Sequence, residues 1–508
     1  MSLSARIAKN TAIQAVGKIL GLVLAILAAG IMLRYLKDEG NGFYTTVTAF
    51  LQMFGIAIDL GLYIILIKKL SGVSDADSVA GKRPESRIVN VIFTLRVVTA
   101  VVVLGLAPLI ALFIGQYNDN YSLPVVGAIA ATTLFYFFLS MNQLLSAIFQ
   151  KFLQTQWVAI GELAGKLLQF GLTVLVVALG GSVFWMLMVL VASAGVNFFI
   201  NVLASRKFMR LRFAWDRHIV HSILKEAWPI ALSIICTLIY FKGDTFVMTF
   251  FETKQVVGQY GAPYKILEVL VTFPAMFAGL VLPILTQAWN VGDRDRFQQL
   301  FQRSFAAISI IAIPILFGVQ VLAPQIMTLI AGADFASDAA GMQRVVNSLR
   351  ILILATTAIY FGTLFGYLVV ALNKQKTMLF GYAFVALTAM AGYLIFIPRF
   401  SVYGAAWVTV YSETMIVLIG LTIILLTTRI KLSFYAPLAA LASAIIMYLV
   451  LRAVLPFSSA WHSLPDTLEA LITVVMYGFI GALIYGIALL LTRATSLTEI
   501  KSLIHKRV

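Results

Sequence analysis

Charge is scarce in this chain. Asp, Glu, Lys and Arg together make up 11% of its 508 residues, and hydrophobic residues make up 61%. A soluble domain carries about 25% charge, so a water-exposed globule is excluded. Cysteine is nearly absent: the single Cys236 rules out an internal disulfide and any thiolate metal cluster. Histidine is almost as rare, and His218, His221, His462 and His505 all fall in connections or the tail. His218 and His221 are spaced like half a metal site, but a solvated basic loop accounts for them more simply. "GELAGKLL" (161–168) has the outline of a phosphate loop without the four-residue spacer between its glycines or the Ser/Thr after Lys166. Its Gly161 and Gly165 suit close helix packing instead. No catalytic residue, cofactor or metal is expected.

What is abundant is apolar sequence in runs of 20 residues or more, each enough to cross roughly 30 Å of hydrocarbon. Mean hydropathy is +0.97. The chain reads as an all-α polytopic membrane protein with about fourteen transmembrane helices. The spans are near 11–33, 43–67, 88–115, 122–149, 157–180, 183–203, 226–251 and 264–289, then 303–330, 347–372, 377–398, 402–427, 433–455 and 466–492. "MSLSARIAKN" leads into the first of these with no small-residue cleavage site, so it reads as a first helix and not a removable signal. With the N-terminus in the cytoplasm, 25 of the 37 Lys and Arg fall on the cytoplasmic side. Only Arg34, Lys37, Lys254, Arg344 and Arg399 fall opposite. That bias places both termini in the cytoplasm. The net charge of +16 is then a topology signal and an attraction to anionic lipid. Nucleic acid is not an expected partner, because the cations are spread over many short loops. The seven tryptophans lie near span ends, as in an aromatic belt.

A repeat is hidden in the hydrophobicity. Gly42 and Tyr44 recur as Gly258 and Tyr260, Arg87 as Arg303, and "LAP" at 106–108 as "LAP" at 322–324, all at an offset of 216. One offset shared by three places predicts two parallel six-helix lobes, pseudo-symmetric about the membrane normal. The expected division is a lobe over 1–203, a basic cytoplasmic linker over 204–225 and a second lobe over 226–430. Two extra helices (431–492) and a cytoplasmic tail (493–508) follow. A cleft between two such lobes suits alternating access.

A charge in hydrocarbon costs at least about 2.5–3.5 kcal/mol, so those within spans need a reason. They are Lys18, Asp59, Arg96, Glu162, Lys166, Lys242, Asp244, Lys265, Glu268, Arg350 and Glu413. Glu162 and Lys166, four apart, read as a local ion pair. Arg350 and Arg96 read as side chains that snorkel to an interface. Lys242 and Asp244 are about 200° apart around a helix, whereas Lys265 and Glu268 are about 60° apart and share a face. Asp244 and Lys265 can pair between helices, which still leaves Lys242 and Lys18 to account for, and a cavity with surplus positive charge is the simplest home for them.

These residues also carry a resemblance. "IAKNTAIQAVGKILGLVLAILAAGIMLRYLKDEGNGFYTTVTAFLQMFGIAIDLGL" (7–62) resembles the opening of the polysaccharide-synthesis flippases, in the multidrug/oligosaccharidyl-lipid/polysaccharide exporter superfamily. A first span ending in Arg34, a Gly-x-Tyr in the second and Asp59-Leu60-Gly61 carry the likeness. The segment 242–287 is similar to that family's seventh and eighth spans, with Asp244 followed by Gly258, Tyr260 and Tyr264. The resemblance implies transfer of polyprenyl-diphosphate-linked oligosaccharide from the inner to the outer leaflet of a bacterial or archaeal cytoplasmic membrane, for cell-surface polysaccharide. It implies Lys18, Arg34, Asp59, Lys242, Asp244, Lys265 and Glu268 as cavity residues, with Glu413 as a candidate coupling carboxylate. Membrane lipids, glycosyltransferases and a polymerase of the same pathway are the implied partners. A lipid II flippase and a drug/cation antiporter are the alternatives. The lysines argue against the antiporter, which needs carboxylates without matching cations.

Overall fold

The computed structural model describes residues 3–59, 61–71, 84–152, 154–456 and 464–492. Trp461, His462, His505, most of the basic loop 68–87 and the expected tail 493–508 lie outside the described residues. Every regular element among the described residues is helical.

The helices that result are longer than one bilayer in two places. α1 (Leu3–Asp59) has 57 residues, a rise of about 86 Å, nearly three times the hydrocarbon thickness. It is interrupted at Lys37, whose φ of 55° and ψ of −167° are not helical. α12 (Gln375–Thr428), with 54 residues, is broken in the same manner at Ser401 (φ 53°, ψ −135°). Among the described residues, twelve stretches are long and apolar enough to cross a membrane. Dividing α1 and α12 at their kinks gives the fourteen passes expected, with the kinks inside the expected connections.

Two compact units divide the chain, Met1–Gly258 and Gln259–Val508. The first holds α1, α2 (Leu62–Ser71), α3 (Pro84–Ile114), α4 (Leu123–Lys151), α5 (Gln156–Ala178), α6 (Val183–Ser205) and α7 (Arg217–Phe251). α8 (Lys254–Leu270) begins in this unit and continues into the second. The second holds α9 (Thr272–Asn290), α10 (Arg294–Ala331), α11 (Ala339–Ala371), α12, α13 (Tyr435–Val454) and α14 (Asp466–Leu491).

The boundary at Gly258 lies one helix beyond the linker 204–225, because α7 is fastened to the first unit at both ends. At its start the Asp216 carboxylate accepts from the N–H groups of His218 and Ile219, an N-cap. The same carboxylate pairs with Arg87. At its end the last carbonyls of α7, which have no helical partner, are taken up by the loop between α3 and α4. Asn118 donates to Phe250 O, and Asn120 to Thr249 O and Glu252 O, at 3.0, 2.8 and 2.6 Å. Tyr121 Oη lies 2.6 Å from Thr249 Oγ1. Phe246 and Phe250 then close the apolar cluster around Phe50, Tyr121 and Leu187.

Element positions echo the 216-residue offset. α4 starts at Leu123 and α11 at Ala339. The Lys37 kink corresponds to residue 253, between α7 and α8. Both second passes are broken: α1 ends at Asp59 and α2 begins at Leu62, and α8 gives way to α9 at Val271.

Small residues set the closest approaches. A Cβ on Gly42 would stand 1.7 Å from the Lys254 carbonyl oxygen, and one on Gly258 would stand 1.8 Å from that of Asp38. Only glycine lets these backbones meet, and Asn41 Nδ2 adds a 2.7 Å bond to Gly258 O. Gly161 and Gly165 press α5 onto Asn197 and the Ser193 carbonyl of α6, the packing role expected of them. In the second unit, α13 and α14 share a core with α10 through Leu322, Ala444, Met447, Tyr477 and Tyr485.

Candidate functional site: the intramembrane charges of each unit

In the first unit the charges fall into three settings. Lys242 and Asp244 on α7 are 7% and 0% exposed. Lys242 Nζ stands 5.3 Å from the Phe241 ring. Asp244 Oδ1 accepts from the N–H and the hydroxyl of Thr245, at 2.6 and 3.2 Å. Their separation around the helix does not expose either one, because α7 is enclosed over this stretch.

Asp59 ends α1 at the break in the second pass. Its Oδ1 accepts from Arg96 of α3 and from the Tyr63 N–H of α2. Arg96 is fully buried and donates its other terminal nitrogen to the Ser140 carbonyl of α4, at 2.5 Å. Arg96 therefore does not snorkel, contrary to its reading from sequence. It lies 12 residues inside α3, a depth of about 18 Å, too far for its side chain to reach an interface. One guanidinium thus ties α1, α3 and α4 together beside Gly61, which bridges to α2. Gly61 adopts φ +74°, and a Cβ there would meet Ile230 Cγ2 at 2.6 Å, so the break needs glycine on both counts.

The third setting is an exposed charged face shared by α1 and α5. Lys18 and Glu162 are exposed, and Lys166 is half-buried with its Nζ 3.0 Å from Gln169 Oε1. Glu162 lies within electrostatic reach of both Lys18 and Lys166, so the expected local pair is part of a triad. Gly17 and Gly21 bring the two helices together here, facing Ala159 and Lys166 Cγ at 3.6 and 3.7 Å. Arg34 lies three residues before the Lys37 kink, half-buried.

The second unit carries Lys265, Glu268 and Glu413. Lys265 Nζ is 3.7 Å from Glu268 Oε2, with side chains 26% and 40% exposed. Both stand on α8 just before the Val271 break, where Tyr360 Oη donates to the Leu270 carbonyl at 3.1 Å. Glu413 is buried on the second arm of α12, near Tyr382 of the first arm.

Exposed charge on a membrane-spanning helix is stable against water and costly against lipid. The Lys18–Glu162–Lys166 face is exposed, and the Lys265–Glu268 face is partly exposed. A groove of about 820 Å³ between the arms of α12 is different. Phe396, Phe400, Tyr403, Trp407 and Tyr411 line it around Gly392 and Gly404, with no charged residue. It suits hydrocarbon and not a charged head. No group of three or more His, Cys, Asp or Glu that would hold a metal comes together among the described residues.

Residues 7–289 match the model of a family described as "Polysaccharide biosynthesis protein". Among solved structures the chain resembles a lipid II flippase MurJ in an inward closed conformation, at 13% identity and TM-score 0.73. That match covers 94% of this chain and 97% of the other. It also resembles an inward-facing multidrug resistance MATE family transporter of the MOP superfamily, at 14% identity and TM-score 0.66, over 80% of this chain and 94% of the other. A third likeness is to a MOP superfamily transporter from Pyrococcus furiosus Vc1, whose pocket is described as reversed in polarity. Identity there is 13% and TM-score 0.52, over 84% of this chain and 94% of the other. No curated protein matches the chain. At these identities the structural likeness establishes the fold, and the family model establishes the family.

Proposed function

The chain belongs to the polysaccharide biosynthesis protein family, and from that premise we propose that it flips polyprenyl-diphosphate-linked oligosaccharide across a cytoplasmic membrane by alternating access. The observation that supports this reading is accessible lysine within the spans: Lys18 and Lys166 outnumber Glu162 in one unit, and Lys265 is partly exposed beside Glu268 in the other. Such lysines complement a diphosphate head, while the apolar surface of the spans suits its tail. Lys242 and Arg34 add positive charge within the first unit. Asp244, Glu268 and Glu413 are the carboxylates available to couple an ion. Asp59 serves to hold the broken second pass through Arg96. Lys and Arg bias sets both termini in the cytoplasm, and pathway glycosyltransferases and a polymerase are the expected partners.

A second reading, lipid II as cargo, is favoured by one observation. The MurJ likeness reaches across 94% of the chain, whereas the MATE likeness reaches 80%, so the extra helices have a counterpart in a lipid II flippase. Both cargoes share the diphosphate chemistry. Deleting the gene and identifying the lipid that accumulates on the cytoplasmic leaflet separates them. Polyprenyl-linked oligosaccharide, with loss of surface polysaccharide, is the expected result. Accumulated lipid II would favour the second reading, and no accumulated glycolipid would sink both.

A further inference from the structure

The segment between α6 and α7 is not used by any step above. From Met209 to Asp216 it has no regular secondary structure and lies along α3. Its backbone is pinned at alternate residues: Arg212 N donates to Asn90 Oδ1 at 3.0 Å and Ala214 N to Thr94 Oγ1 at 2.9 Å. The Phe213 ring rests 5.3 Å from Phe93. Upstream, Phe208 stacks on Phe152 at 5.4 Å, and Lys207 Nζ stands 5.7 Å from the Trp157 ring. Downstream, the Arg87–Asp216 pair closes the strap.

Such a fastened segment displays an unusual surface. Phe213 and Trp215 are 71% and 61% exposed. Large aromatic rings in that state are at home at headgroup depth, one side apolar and the other wet. Between residues 206 and 217 stand five cations, Arg206, Lys207, Arg210, Arg212 and Arg217, all exposed. The one acid among them, Asp216, is already engaged by Arg87 and by the start of α7. The strap therefore presents net positive charge beside aromatic rings, on a backbone already ordered.

We propose that this strap is a binding site for anionic phospholipid, the Arg210 and Arg212 guanidinium groups taking the headgroup phosphates while Phe213 and Trp215 lie among the chains' upper carbons. Arginine suits phosphate because its planar fork donates two parallel hydrogen bonds. Asn90 and Thr94 hold the backbone N–H groups of Arg212 and Ala214 before lipid arrives, so less backbone order is lost on binding.

Native mass spectrometry of the full chain with phosphatidylglycerol and with phosphatidylcholine tests this, and no glycolipid enters the measurement, so its failure leaves the flippase reading intact. Wild type should retain phosphatidylglycerol preferentially. The double variant Arg210→Gln/Arg212→Gln should bind it about 30-fold more weakly, the equivalent of about 1 kcal/mol per cation. The matched change Lys374→Gln/Lys376→Gln, at two exposed cations of the second unit, should leave affinity unchanged. Arg210→Lys/Arg212→Lys, which keeps the charge and loses the fork, should bind more weakly than wild type and more tightly than the Gln pair, which separates lost charge from lost folding. Equal retention of both lipids by wild type, or equal loss in the two Gln pairs, would overturn the site.

Discussion

Arg96 has no water and Asp59 has some: their side chains are 0% and 19% exposed. That asymmetry decides which half of the pair matters more. Removing one partner of a buried pair costs about 3–5 kcal/mol when the other is left stranded. Asp59→Asn strands a guanidinium that stays charged in a dry site, with only the Ser140 carbonyl to receive it. Arg96→Gln leaves a carboxylate that water can reach and a proton can neutralise. Asp59→Asn should therefore lower the thermal midpoint in detergent more than Arg96→Gln, and the double variant should be milder than Asp59→Asn alone. The reverse order would mean that Arg96 acts through packing. At this scale the sequence was a partial guide. Charge and approximate depth were visible, but Asp59 and Arg96 lie 37 residues apart on different helices, and no local pattern joins them. Asp216 gives a second residue-scale expectation. The Ile219 N–H and then the Arg87 guanidinium hold its carboxyl below the usual carboxylate range, near 3.9. A depressed carboxylate stabilises fully above its unfolded value and loses that contribution as pH falls through the folded one. Protection of the first α7 amides against hydrogen exchange should thus hold constant from pH 7 to 5, after correction for intrinsic rate. An earlier loss would contradict the cap.

Among elements, the two broken second passes and the glycine contact are the features that leave least freedom. A Cβ at Gly258 meets backbone at 1.8 Å, and backbone cannot rotate away as a side chain can. Gly127, on α4, has nothing within 4 Å of its missing Cβ. Gly258→Ala should reduce the yield of monodisperse protein severalfold, while Gly127→Ala should leave yield and thermal midpoint unchanged or slightly raised, since alanine favours helix by about 1 kcal/mol. Equal behaviour of the two variants would show that the α1–α8 approach is looser than drawn. Helix boundaries were legible because hydropathy is read along one dimension and its gaps fall where chains turn. The repeated Gly-x-Tyr marked the contact without revealing that Gly42 and Gly258 meet backbone to backbone. What stayed hidden was the fastening of α7 to the first unit. It depends on Asn118, Asn120 and Tyr121, a polar loop whose composition fits any connection and whose partners are about 130 residues away.

For the whole molecule, the proposal is that lysines on the spans guide an anionic lipid head across the membrane. Charge reversal tests the lysines' part in it: Lys265→Glu, or Lys242→Glu at the buried position on α7, should slow transfer at least tenfold, whereas Arg296→Glu, in the exposed first turn of α10, should have little effect. Comparable rates in all three variants would remove those lysines from the path. The fold supplies the driving options as well. On the flippase reading, a potential or an ion gradient is the expected driving force for accumulation. Two negative charges moving outward against 100 mV, negative inside, gain about 4.6 kcal/mol, a bias of more than a thousandfold. The most direct measurement is transfer of a polyprenyl-diphosphate oligosaccharide in liposomes that contain the purified chain and hold an imposed potential. Glycan exposed on the outer leaflet should rise above that of protein-free liposomes, exceed half of the total, and fall back to equilibrium when the potential is dissipated. Glycan exposure no faster than in protein-free liposomes, from protein that is correctly folded and inserted, would contradict the account.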